Sequence, residues 1–333
     1  MEVNPNNQVE MVGEGEAPVK KKSSLVARTI SGIVYAALML GMFLLKVFVS
    51  DLFFDAFIWF FAIVGTFEMT RAFEKNITTV QRVMVFIFSI VVIPVCSLAE
   101  YLFGYGLHVT CVCFFALCIC LLSLLVFQHE KTTLENIGAA LLSAVYPALL
   151  LCLLVLANHI GQKPIWGDKL IGAQSDVFNS DLAIMLIFLV SPISDVFAFF
   201  FGISLKKVFP QKLAPTLSPN KTIVGFVGGL IGGVFAAVVA FFGYNLVLEY
   251  VLHLPSCLNF TELWLPVYMG IGVFAALATC FGDLVESCIK RKKGLKDMGN
   301  IMPGHGGVLD RIDGTIFATV AVYLCFVVIH VFL

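Results

Sequence analysis

The chain has 333 residues, 59% of them hydrophobic and 13% charged, with a formal net charge of −1 and a mean hydropathy of +0.97. A soluble protein carries about 25% charged residues, so this composition excludes a soluble globular chain. The near-zero net charge says nothing about partners, because the charges are sorted by position, and no nucleic-acid partner is expected. Apolar runs near 20 residues recur, and a run of about that length crosses a bilayer as a helix. The expected fold class is therefore an all-α polytopic membrane protein.

Residues 1–24 are polar and end in Lys20, Lys21 and Lys22. They lack the apolar core and small-residue cleavage site of a signal peptide and read as a disordered cytosolic tail. Spans follow at 26–48, 52–70, 83–103, 109–127, 137–157, 183–203, 222–246, 265–285 and 314–333. With the N-terminus in the cytosol, the inner segments hold 18 of the 21 Lys and Arg residues; only Lys46, Lys163 and Lys169 fall outside. Positive charge concentrates on the cytosolic side of membrane proteins. Nine spans and a cytosolic N-terminus therefore support each other and place the C-terminus outside.

The expected organisation is an N-terminal set of transmembrane helices over 25–180 and a catalytic transmembrane region over 181–333. Two cytosolic loops, 204–222 and 286–313, interrupt the second part. The cysteines, including Cys111, Cys113, Cys118 and Cys120 in one span, form no CxxC pair and read as small packing residues.

Asp195 lies in span six, in "SPISDVFAFFFG", and must find a polar partner there; a structural contact and a site role are both open. The following loop reads "KKVFPQKLAPTLSPNKT". Pro215 and Pro219 stiffen it, and Lys212 and Lys221 supply compact charges suited to phosphate. Ser218 and Thr222 are weaker candidates. For each lysine alone, the plainer reading is a topology signal.

Span eight ends "TCFGDLVESCIKR". Asp283, Glu286 and Ser287 are spaced three and four apart and share one helical face. Span nine begins "LDRIDG", with Asp310 and Asp313 three apart. An ionisable residue at membrane depth is a functional candidate by default. Asp283, Asp310 and Asp313 flank one loop and would repel unless a cation sat among them, and such hard oxygen donors suit Mg²⁺. The plainer reading is salt bridging with Lys290, Arg291 and Arg311. Asp297 has the same alternative with Lys293 and Lys296. Between the acids runs "PGHGG". Gly304, Gly306 and Gly307 permit close backbone approach to a ligand, and successive N–H groups in such turns bind anions. His305 fits a phosphate contact, a brace for a metal ligand or an ordinary loop histidine.

The string Ser287-x2-Lys290-Arg291-x4-Lys296-Asp297-x-Gly299-x3-Pro303-x-His305-Gly306-Gly307-x2-Asp310-Arg311-x-Asp313 resembles the signature of the phosphatidate cytidylyltransferases, also called CDP-diacylglycerol synthases. The upstream "SDVFAFFFG" and "KLAPTLSPNKT" look like that family's other shared segments, in the right order. The resemblance covers about residues 190–315. It implies the reaction of CTP with phosphatidate to give CDP-diacylglycerol and pyrophosphate, with Mg²⁺ as cofactor and a second cation left open. It implies Asp283, Asp310 and Asp313 as metal ligands, joined by Glu286 and Ser287. It implies phosphate contacts from Lys221, Lys290, Arg291 and Arg311, with Lys212, Ser218, Thr222, Lys296, Asp297, Gly304, His305, Gly306 and Gly307 shaping the substrate pocket.

The "GDLVES" and "KDMGN" forms look closer to bacterial members, which implies a bacterial inner membrane with the site on the cytosolic side. Partners are then CTP, phosphatidate and membrane lipid, with a homodimer left open. The chain departs from the family pattern at Phe199, Asn220 and Met302, and "KTIVG" puts Ile223 and Val224 where the family has Trp and Glu. Two other classes stay open on the residues alone. One is a CTP-dependent polyprenol or phytol kinase, and the other a transporter with a cytosolic ion site.

Overall fold

The computed structural model describes residues 25–162, 164–166, 179–250, 261–302 and 306–332. The expected tail, 1–24, lies outside them. Helices run as α1 (Leu25–Phe48), α2 (Asp51–Ala72), α3 (Thr79–Phe103), α4 (Gly106–Phe127), α5 (Leu134–Ala144), α6 (Leu150–Asn158), α7 (Ser180–Ser204), α8 (Ile223–Tyr250), α9 (Thr261–Lys292) and α10 (Leu309–Phe332). Each expected span coincides with a helix, the fifth with α5 and α6 together. Among the described residues, eight helical stretches are long and apolar enough to cross a membrane, counting Leu134–Asn158 as one, and α1 adds the apolar stretch Gly32–Phe48.

Polar side chains set several of the helix starts. Ser50 accepts from Leu52 N, and Thr78 with Gln81 and Thr133 with Asn136 form reciprocal caps, which satisfy N–H groups a helix leaves orphaned. The break between α5 and α6 is a π turn at Val145–Leu149 in which Tyr146 leaves helical geometry, at φ −111° and ψ 103°. Pro147 explains it: proline lacks the N–H that an α-helix needs and pushes the residue before it out of the α region.

One feature was not legible in the hydrophobic pattern. The loop after α7 folds into a two-stranded antiparallel ribbon, β1 (Lys212–Ala214) and β2 (Ser218–Thr222), pairing Lys212 with Thr222 and Ala214 with Ser218.

Helices α7, α8, α9 and α10 pack most closely, and α10 also rests on α6 and α7. Buried aromatics tie three of them: Tyr268 of α9 lies 5.3 Å from Phe241 of α8 and 6.1 Å from Phe326 of α10, ring centre to ring centre. On α4, Val112, Ile119 and Val126 face outward, which in an apolar helix is a lipid-facing surface.

The start of α2 anchors one end of the bundle. Buried Lys46 pairs with Asp51 and Asp181, joining α1, α2 and α7. Buried Asp55 accepts from Ser97 (2.6 Å) and Asn158 (2.9 Å) and pairs with His159 (2.7 Å). The other end of α2 reaches the site.

Candidate functional site

The site forms where the end of α9, the start of α10 and the β1–β2 ribbon converge. Helices α9 and α10 can touch because Gly282 has no side chain: a Cβ there would stand 2.7 Å from the Asp313 carbonyl oxygen. That approach puts Asp283 and Glu286 of α9 beside Asp313 of α10. Glu286 is 1% exposed, its carboxyl lies within hydrogen-bonding reach of Asp313, and its Oε1 meets no donor among the described residues.

Lysines thread this acidic group. Lys221, from the end of β2, places Nζ 2.9 Å from Asp283 Oδ2. Lys290 bridges Glu286 Oε2 (2.5 Å) and Asp310 Oδ1 (2.8 Å), joining α9 to α10. Asp310 also organises the loop, since its Oδ2 accepts from Met298 N at 2.9 Å and Gly307 N at 2.7 Å. Met302 and Gly306 exchange backbone hydrogen bonds across the segment between them. Gly304 and His305 fall in that segment, outside the described residues.

A cleft of about 510 Å³ opens beside Lys221 and Asp283. Its polar lining includes Asp195, Lys206, Ser218 and Asn220, and its apolar lining includes Phe199, Ile203 and Phe226. Asp195 therefore belongs to the site, within electrostatic reach of Asp283, Asp313, Lys221 and Arg311.

Other expected residues are held differently. Thr222 lines the cleft, yet it is buried and its hydroxyl accepts from Gly225 N, capping α8. Lys212 donates to the Pro219 carbonyl within the ribbon. Arg291, Lys296 and Asp297 are exposed around the loop, Arg311 is exposed on α10, and Ser287 is half-buried one residue past Glu286.

Two contributors come from the N-terminal half and were not anticipated. Glu68 of α2 is 1% exposed and accepts from Val308 N (3.0 Å) and Leu309 N (2.8 Å), capping α10. Gly299 and Gly307 make room for it, since a Cβ on them would lie 2.0 and 2.6 Å from Glu68 Oε1. A lone acid in an apolar span was the available signal for Glu68. The other is Tyr146, whose hydroxyl comes within electrostatic reach of Asp313, Glu286, Asp283 and Asp310. Nothing local in the sequence around Tyr146 marks it.

Among the described residues no three of Asp, Glu, His and Cys are gathered closely enough to close a metal cage by themselves. Mg²⁺ does not require one. It is usually held by one or two carboxylates with waters and substrate phosphates. The unpartnered Glu286 oxygen next to Asp313, with Asp283 close by, is a donor set of that kind.

Fold and site together define a polytopic membrane protein with acids paired to lysines beside a mostly apolar cleft. The chain belongs to the Cytidylyltransferase family, whose model it matches over residues 27–329. It is 38% identical over 136 residues to a phosphatidate cytidylyltransferase of Staphylococcus aureus (strain COL), covering 40% of this chain and 45% of that protein. Phosphatidate cytidylyltransferases of Staphylococcus haemolyticus and Thermotoga maritima are 41% identical over 138 residues and 33% identical over 136. The matched stretch spans less than half the length of these relatives, 45% and 46% respectively.

Proposed function

We propose that the protein is a phosphatidate cytidylyltransferase, joining CTP and phosphatidate to give CDP-diacylglycerol and pyrophosphate. The observation that carries this reading is the Lys221–Asp283 pair, 2.9 Å apart and lining a cleft with both charged and apolar walls. Such a cleft suits a substrate with an anionic headgroup and hydrocarbon tails. The family membership and the names of the relatives support the same chemistry. They do not favour the transporter reading.

The attacking phosphate oxygen is already ionised near neutral pH, so the site needs no strong general base. Its task is to hold two polyanions together and to offset charge growing on the departing pyrophosphate. Lys221 and Lys206 face the cleft and bind phosphoryl oxygens there. Asp283 orients Lys221. Lys290 and Asp310 fix the glycine loop, with Gly306 N and Gly307 N held by Met302 and Asp310. Asp313 with Glu286 or Asp283 would hold Mg²⁺, water and substrate phosphate supplying the other ligands, while Asp310 stays engaged with Lys290 and the loop N–H groups. When bound, that ion neutralises phosphate charge and aligns the displacement.

The charge distribution supports a cytosolic N-terminus and a cytosolic site, and attack by impermeant thiol reagent from outside intact cells on a cysteine placed at Asn300 would rule that orientation out. The reaction itself is tested with purified protein, CTP, phosphatidate and Mg²⁺. Pyrophosphate release that depends on phosphatidate is expected, with Asp283→Asn and Asp313→Asn nearly inactive. Release that is independent of phosphatidate, or absent in well-folded protein, would overturn the proposal.

A further inference from the structure

Tyr146 is 2% exposed, and its hydroxyl has no hydrogen-bond partner among the described residues. A buried phenol without a partner is costly, because it gives up water and gains nothing in exchange. Its position is specified by the fold. The π turn at Val145–Leu149 takes Tyr146 out of helical geometry, and such turns concentrate at functional sites. Its ring packs 6.0 Å from Phe317 of α10. Phe317 lies one helical turn past Asp313 on α10, and the hydroxyl is within electrostatic reach of Asp313 and Glu286. Glu286 Oε1 is also buried and has no donor among the described residues, with the Asp313 carboxyl within hydrogen-bonding reach. A buried hydroxyl with no partner among the described residues, close to several carboxylates, calls for something that satisfies it. In a field of carboxylates that something carries positive charge.

We propose that Tyr146 is a positioning residue of this centre, its hydroxyl hydrogen-bonding to water on a divalent cation held by Glu286 and Asp313. The inference rests on the metal reading above and adds to it a residue from the N-terminal helices. Tyr146 then ties the break in the α5–α6 span to the cation that α9 and α10 hold. Outer partners of this type typically change metal affinity by 10–100-fold.

The test is Mn²⁺ binding to the full-length protein in lipid nanodiscs, without nucleotide, followed by electron paramagnetic resonance. Mn²⁺ takes the same oxygen ligands as Mg²⁺. Tyr146→Phe removes only the hydroxyl and keeps the ring against Phe317. Expected is Mn²⁺ binding weakened by about tenfold or more, with the melting temperature of the metal-free protein unchanged or slightly raised. Equal Mn²⁺ affinity in Tyr146→Phe and the parent would overturn the role of Tyr146 and leave the metal reading standing. No Mn²⁺ binding by the parent would overturn both. A Tyr146→Phe protein that no longer folds would also overturn it, because the hydroxyl would then have a structural partner.

Discussion

Lys221 and Asp283 meet at 2.9 Å although they lie on different elements, one ending β2 and the other in the last turns of α9. Both line the cleft. In the free protein Asp283 holds the ammonium in place, and a bound phosphate would share it. If Lys221 offsets charge on the leaving group, its loss will reduce turnover more than ground-state binding. Lys221→Met should lower kcat by at least about tenfold, equivalent to about 1.4 kcal/mol, with a smaller change in KM for CTP. Lys221→Arg should restore only part, because a planar fork replaces a compact ammonium poorly. A normal kcat in correctly inserted Lys221→Met would reduce the lysine to a topology signal.

Glu68 is expected to be as consequential as any residue of the loop it supports. Glu68→Ala leaves Val308 N and Leu309 N without their acceptor, and each buried orphan costs about 1–3 kcal/mol. Thermal stability should drop measurably, and turnover should drop with it, because Gly307 and Asp310 lose their anchor. Unchanged melting and unchanged turnover in Glu68→Ala would show that α10 caps itself in some other way.

The spans, the acidic faces of α9 and α10 and the basic segment after α7 were legible because each is a local pattern: apolar length, three- and four-residue spacing, and proline with lysine. Glu68 and Tyr146 were not legible, because their importance comes from packing across the chain. Glu68 Oε1 meets Val308 N, 240 positions later. Tyr146 matters only because Pro147 breaks a span just where α10 passes. The strand pairing of 212–222 was hidden by its prolines, which read as loop.

Val224 stands where the related family carries an acid. It is half-buried in the first turn of α8 and is not among the residues lining the cleft. Val224→Glu should therefore leave activity within about a few-fold of the parent, in the range of about 1 kcal/mol or less. A large gain in kcat would mean that this chain is a weakened version of its relatives rather than a rearranged one.

His159, just past α6, gives the protein a pH-dependent stability. Burial pulls its pKa down, but the hydrogen bond to Asp55, the charges of Asp55 and Asp51, and the bond to Gln162 outweigh this and hold it above 6.5. The Tyr101 ring also faces it, and Glu100 lies within electrostatic reach. A group whose pKa rises on folding stabilises fully below its unfolded value, and that stabilisation is lost as pH rises through the folded value. Melting temperature should therefore fall as pH rises above about 6.5, and His159→Gln should remove that part of the slope. Identical pH profiles for the two proteins would exclude His159 as the source.

The most direct measurement follows the label from CTP into lipid. Purified protein is given phosphatidate, Mg²⁺ and CTP labelled with ³²P at either the α or the γ phosphate. Cytidylyl transfer predicts that the α label enters an organic-soluble lipid and the γ label appears in pyrophosphate. A γ label recovered in lipid, with CDP as the soluble product, would make the protein a CTP-dependent lipid kinase and contradict this account.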